Sequence, residues 1–430
     1  MNRIYIGVTA AATAAFLIGC DTHKLLEVEA PNSVPVAVFD TPANAVLMAN
    51  SVIGDFDCAH GSWVIAEGLT SDELADATLT AAAWPLDRRD ANTQTNGTYG
   101  TGGCTSTSTP GVYTPLSTAR WEADQALTKL AKWTDAEVPT RQSLIAQMNI
   151  YSGFSYAELG MAMCQAAFDL GPAVDQKAMF ALAEKRFTDG IAAAQASVNT
   201  AMLNAAYVGR ARARLYLGNL TGAAADATLV PKGFVLNIVT DALNSRRFNR
   251  VYNATSQSGS LTVEKLSLTL NTEAGEKDPR AAVTQTTQKA ADSQSIVYVP
   301  TKYGTGATPN NTVGDAIPMP IARYEEAQLI LAEAQGGAAA VTIINALRAA
   351  QSLKPYTGAT DATSIKNLII DERRRALFVE GFRNYDIQRF SLPFNPAVGT
   401  TYPRAGGTYG NTVCLPLPDI ERVNNPNVGT

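Results

Sequence analysis

Histidine is nearly absent: the 430-residue chain has two, His23 and His60. Catalysis needs a nucleophile with a base, a carboxylate pair or a metal, and the scarcity of histidine removes the commonest base and metal ligand. No G-x-S-x-G, H-E-x-x-H, phosphate-binding loop or complete G-x-G-x-x-G occurs. Gly97 to Gly103 is glycine-rich but lacks the lysine and the helix that a phosphate cradle requires. Charged residues are only 17% of the chain and the net charge is −5, so there is no basic stripe to neutralise phosphates and nucleic acid is excluded as a partner. No C-x-x-C or Cys/His cluster has zinc spacing; Cys58-Ala-His60 is too sparse. Neither a metal site nor a cofactor is expected.

Long apolar runs are also missing, apart from the first residues. Arg3 followed by the apolar stretch 4–18 reads as an export signal, too short to span a bilayer. Leu17-Ile18-Gly19-Cys20 has the form of a bacterial lipobox, which makes residues 1–19 a signal peptide and Cys20 the lipidated residue. Residues 20–36 read as a polar tether, so the mature protein is expected to hang from a membrane by acyl chains. Four cysteines remain for an oxidising compartment, and four allow three pairings. The favoured one joins Cys58 to Cys104, at the edge of an irregular region, and Cys164 to Cys414, pinning the tail to a helix.

What is present is mostly helical periodicity. Thr41-Pro42 opens a helix to about Phe56. Residues 57–115 are rich in Gly, Ser, Thr and Asn and are expected to form a long loop. Helices are expected at 118–136 (with Trp121 inward), 140–168, 176–198, 202–218 and 222–229, the last stopped by Pro231. Small residues around Gly209-Arg-Ala-Arg-Ala-Arg-Leu-Tyr-Leu-Gly218 and Ala223-Ala-Ala fit a tetratricopeptide-type helix pair. Short strand is expected near 261–270, and a helix at 341–352. The proline-free stretch 365–390 puts Ile365, Leu368, Ile369, Ala376, Val379 and Phe382 on one helical face. Glu372, Arg375 and Arg383 share that arc, which predicts a buried ion network nucleated by Glu372 and Arg375; Gly381 is the point where the helix could break and reset the phase.

The segment Glu372-Arg-Arg-Arg-Ala-Leu-Phe-Val-Glu380-Gly381-Phe382-Arg383-Asn-Tyr385-Asp386-Ile-Gln-Arg389-Phe390 resembles the C-terminal signature helix of the SusD/RagB family. Arg323-Tyr-Glu-Glu326-Ala327 with Ala332-Glu333-Ala334, the turn Lys277-Asp278-Pro279-Arg280, and the ending Pro416-Leu-Pro418 with Asn425-Pro426-Asn427 are similar to further family features. The resemblance implies a mainly α fold in which tetratricopeptide-like helix pairs (118–231 and 320–390) support a loop-rich ligand face, with little β structure. It implies a lipoprotein of the outer membrane, facing the cell exterior, that binds a glycan or peptide for a partner TonB-dependent transporter.

Sugars stack on aromatic rings and hydrogen-bond to planar polar side chains. The irregular region supplies Trp63, Trp84, Tyr99 and Tyr113 among Arg88, Arg89 and Asp90, the candidate ligand residues, with Trp84 foremost. Tyr303, Tyr402 and Tyr409 are lesser candidates. The acids Asp55, Asp57, Glu67, Asp72, Glu73 and Asp76 could in principle serve a glycosidase or a calcium ion, but are read as structural. The alternative function is a surface hydrolase acting on polysaccharide or peptide.

Overall fold

The computed structural model describes residues 39–81, 84–92, 98–107, 109–304, 312–404 and 406–428. The signal peptide, Cys20 and the tether lie outside the described residues. Residues 42–428 form one compact unit. Its architecture is mainly α, as expected.

The central element is α1, Ala45–Thr70, whose residues from Phe56 onward are all buried. It continues well past the expected stop at Phe56. The reason is that this stretch is enclosed on every side, so it carries no polar face for periodicity to reveal. The expected loop therefore begins only after Thr70, and it is interrupted by the strand Leu74–Asp76 and the short turns Trp84–Asp87 and Thr98–Thr101.

α2 (Tyr113–Leu130) and α3 (Arg141–Ala162) pack on α1, and α4 (Gln176–Ala196), α5 (Thr200–Tyr216) and α6 (Leu220–Thr228) extend outward from them, consecutive helices packing as hairpins. Short polar caps start them: Asp175 accepts the Ala178 N–H, Asn199 that of Met202 and Asn219 that of Gly222. Thr140 makes no such side-chain bond. The hairpins pack closely because small residues face a large one. The Phe187 ring of α4 sits between Gly153 of α3 and Gly209 of α5, and a β-carbon on either glycine would fall within 2.8 Å of that ring. Trp121 departs from expectation. It lies on the outer side of α2 and is 49% exposed.

After a stretch of short strands and turns, α7 (Tyr324–Gln335), α8 (Gly337–Ala349), α9 (Ala362–Ala376) and α10 (Arg383–Phe390) complete the scaffold. α7 docks on α5 through Arg212, whose guanidinium forks onto Glu326 at 2.6 and 2.8 Å between the rings of Phe154 and Phe382. The strand content is small: antiparallel pairs join Leu74–Asp76 to Leu261–Val263, Val235–Asn237 to Pro320–Arg323, and Val283–Lys289 to Ile296–Pro300.

Two disulfides are formed. Cys58 on α1 is bonded to Cys104, and Cys164, just past α3, to Cys414. Beside the second, Leu415 donates to the Ala162 carbonyl and accepts from the Cys164 N–H, both at 2.8 Å. The tail ends with Asn425 and Asn427 donating to the carbonyls of Gly171 and Leu170.

Candidate ligand-binding site

The signature segment is two helices, not one. Residues between α9 and α10 reverse the chain, with Val379 at φ 52° and Gly381 at φ 84°. The predicted ion network is consequently divided. Glu372, fully buried, receives Arg375 at 2.7 Å, Arg280 at 2.8 Å and Arg348 at 2.8 Å. Burial works to raise its carboxyl, but the three guanidiniums outweigh that and hold it below the ordinary carboxylate range. Arg383 does not join this cluster. The reversal re-aims it at Asp72, which it holds at 2.7 and 3.0 Å while Arg374 donates at 3.0 Å. Further clusters pair Asp386 with Arg373 and Arg389, and Glu380 with Lys302 and Arg323. Such fully paired charges lock α9 and α10 onto the segment that follows α1.

That segment and the loop after α10 build one face. Trp84 is half-buried, its ring 6.4 Å from that of Tyr402; its Nε1 is turned inward. The Arg88 guanidinium lies 5.8 Å from the centre of the same Tyr402 ring and pairs with Asp90 at 2.6 Å. Tyr402 packs edge-on to Tyr409 and donates its hydroxyl to Asp87 at 2.9 Å. Asp87 also accepts the Asp76 N–H, and Thr78 donates twice to Asp76. Burial pushes Asp87 up to about 7 and Asp76 up to about 6. Arg404 crosses the same group, 3.8 Å from Asp87 and 3.2 Å from Asp292. Backbone bonds from Gly410 to Arg88 and from Thr412 to Arg89 sew the two loops together.

The candidate residues divide sharply. Trp84, Arg88 and Asp90 come together with partial exposure on the loop face. Trp63, Tyr99, Tyr113 and Arg89 do not share it: each is about 1% exposed. Trp63 lies on the buried half of α1, its ring over Gly381 and tilted against His60. The hydroxyls of Tyr99 and Tyr113 are spent on the carbonyls of Pro416 and Ala167. Arg89 is clamped between the rings of Phe394 and Tyr409 and donates to Pro396 O. Tyr303 is also core, bonded to the Val379 carbonyl, and Tyr402 and Tyr409 are themselves buried, at 1% and 5% exposed, so they back the face and do not open onto it. Sequence reading overlooked Arg404 and Phe394. They sit in a Gly/Pro-rich loop whose only cue was its flanking tyrosines. Among the described residues no group of three or more His, Cys, Asp or Glu could hold a metal.

Residues 243–426 match the model of the SusD family, which takes in both signature helices, Arg280 and the Tyr402–Tyr409 loop. Over these residues the chain is similar to the SusD/RagB family. Solved SusD-like structures share the fold across almost its full length. A SusD-like carbohydrate-binding protein from Bacteroides vulgatus is 15% identical with a TM-score of 0.63, over 90% of this chain and 97% of that one. A laminarin-binding SusD-like protein is 17% identical with a TM-score of 0.57, over 90% and 98%. A SusD superfamily protein from Bacteroides fragilis is 12% identical with a TM-score of 0.62, over 91% and 100%. No curated protein matches the chain. The buried ion clusters fall largely inside the matched region, whereas Trp84, Arg88 and Asp90 lie before it. No helix among the described residues is long and apolar enough to cross a membrane.

Proposed function

We propose that the protein is a cell-surface nutrient-binding lipoprotein that captures an oligosaccharide, or a peptide, and delivers it to a partner TonB-dependent outer-membrane transporter. In this reading residues 1–19 are removed, Cys20 is lipidated at the outer membrane, and residues 37–430 form the binding domain. The observation that carries it is the loop face, where the half-buried Trp84 ring lies beside Tyr402, flanked by the partly exposed Arg88–Asp90 pair. A flat apolar surface next to fixed donors and acceptors is what a pyranose ring requires. The family match over residues 243–426 and the carbohydrate-binding names of similar structures support the choice of a glycan. Ion clusters beneath the face supply rigidity and leave the ligand's bonds intact.

The test is a glycan-array screen followed by calorimetry with Trp84→Ala. Truncating a central aromatic anchor costs about 2 kcal/mol or more, roughly a 30-fold loss of affinity. A folded Trp84→Ala protein with unchanged affinity would reject this face. Shortened products from a polysaccharide incubated with the protein alone would instead establish the hydrolase reading.

A further inference from the structure

A second concavity lies away from the loop face, between α1 and α3. It has a volume of about 380 Å³, within the usual range of small-molecule sites of about 300–1,000 Å³. Asn50 and Ile53 of α1, one helical turn apart, form one wall, and Gln147 and Tyr151 of α3, at i and i+4, form another. The loop ending at Arg247 closes the third side. That loop is fixed by backbone bonds from Asp241 to Arg247 and from Arg247 to Asn244. The Arg247 guanidinium lies against Gly54, which has no side chain to displace it.

The polar groups here have no internal work to do. Among the described residues the side chains of Asn50, Gln147, Tyr151 and Arg247 form no hydrogen bond or ion pair, unlike the carboxylate-paired arginines of the ion clusters. Tyr151 is only 5% exposed, its ring edge-on to Phe56, and burial keeps its hydroxyl a neutral donor. The nearby acid is Asp57, 1% exposed, with one oxygen accepting the Val239 N–H and the other without a partner. Burial raises it to about 7, so it opposes Arg247 with less than a full charge near neutrality. Ile53, Met202 and Val239 supply the apolar part of the lining.

The geometry points to a second binding site in this pocket, for a small carboxylated polyol of the uronic acid type. The planar guanidinium of Arg247 matches a carboxylate through two parallel N–H bonds. The two amides and the phenol offer donors and acceptors to ring hydroxyls, and the apolar lining meets the C–H face. A neutral sugar would leave Arg247 unpaired, and a simple anion would leave the amides unused.

Calorimetric titration of the intact, disulfide-bonded protein tests this, with galacturonate, galactose, acetate and inorganic phosphate as probes. Galacturonate is expected to bind at least tenfold more tightly than the other three. Arg247→Gln, with its thermal midpoint checked, is expected to lose tenfold or more of that affinity. Trp84→Ala is expected to leave it unchanged, so the outcome is independent of the loop-face reading. Absence of galacturonate binding, equal binding of galactose, acetate or phosphate, full affinity in Arg247→Gln, or loss of affinity in Trp84→Ala would each overturn the proposal.

Discussion

Gly381→Ala is expected to destabilise the protein by about 2–5 kcal/mol, measured by urea unfolding. The left-handed conformation at φ 84° costs a side-chain-bearing residue about 1–2 kcal/mol, and an added β-carbon would lie 2.4 Å from the Trp63 ring, overpacking worth about 1–3 kcal/mol more. This contact also shows where residue-scale reading ends. Trp63 and Trp84 look alike in sequence, both set among small and polar residues. One fills the space over a glycine more than 300 positions away and the other lies half open on a loop, and no local pattern carries that difference. Arg89 was drawn to the ligand face by its neighbours Arg88 and Asp90, yet it is consumed as a clamp between Phe394 and Tyr409.

Among the elements, those with one polar face were legible. α4 to α6 begin and end within two residues of their expected limits because asparagine or aspartate caps and an alternating apolar stripe mark them. α1 was cut short because its second half has no polar face to read. The periodicity of the signature segment fits one helix with Gly381 as its breaking point, and the break proves decisive: it sends Arg383 to Asp72 and leaves Glu372 with Arg280, Arg348 and Arg375. Glu372→Gln would take the shared carboxylate from Arg280, Arg348 and Arg375 and leave them only Asp278 and Glu273 as acidic partners. Removal of one partner from such a cluster costs about 3–5 kcal/mol, which equilibrium unfolding of the variant should show.

For the molecule as a whole, acidity divides the carboxylates into two populations. Asp72, Glu372, Glu380 and Asp386 are held low by their arginines and lysine against the opposing effect of burial. Their stabilisation is complete above the unfolded values near 4 and fades as pH falls through the lower folded ones. Burial does the reverse to Asp57 and Asp87, raised to about 7, and to Glu67, raised to about 8. Between about pH 4.5 and 8 the folded protein therefore binds more protons than the unfolded chain, and stability falls as pH rises. The melting temperature is expected to be higher at pH 5.5 than at pH 8.5. Glu67→Gln, which keeps an acceptor for the Asn384 amide 3.2 Å away but cannot ionise, should shrink that drop. An equal drop in the variant would place the effect elsewhere.

Covalent topology has a consequence when the protein meets proteases. The bond from Cys164 to Cys414 encloses 250 positions of the sequence, including the Gly/Pro-rich loop over the ligand face. A single nick anywhere inside that ring opens it without releasing a fragment. The severed molecule keeps its mass and its scaffold until a reductant arrives, so damage at the candidate face need not become loss of the molecule.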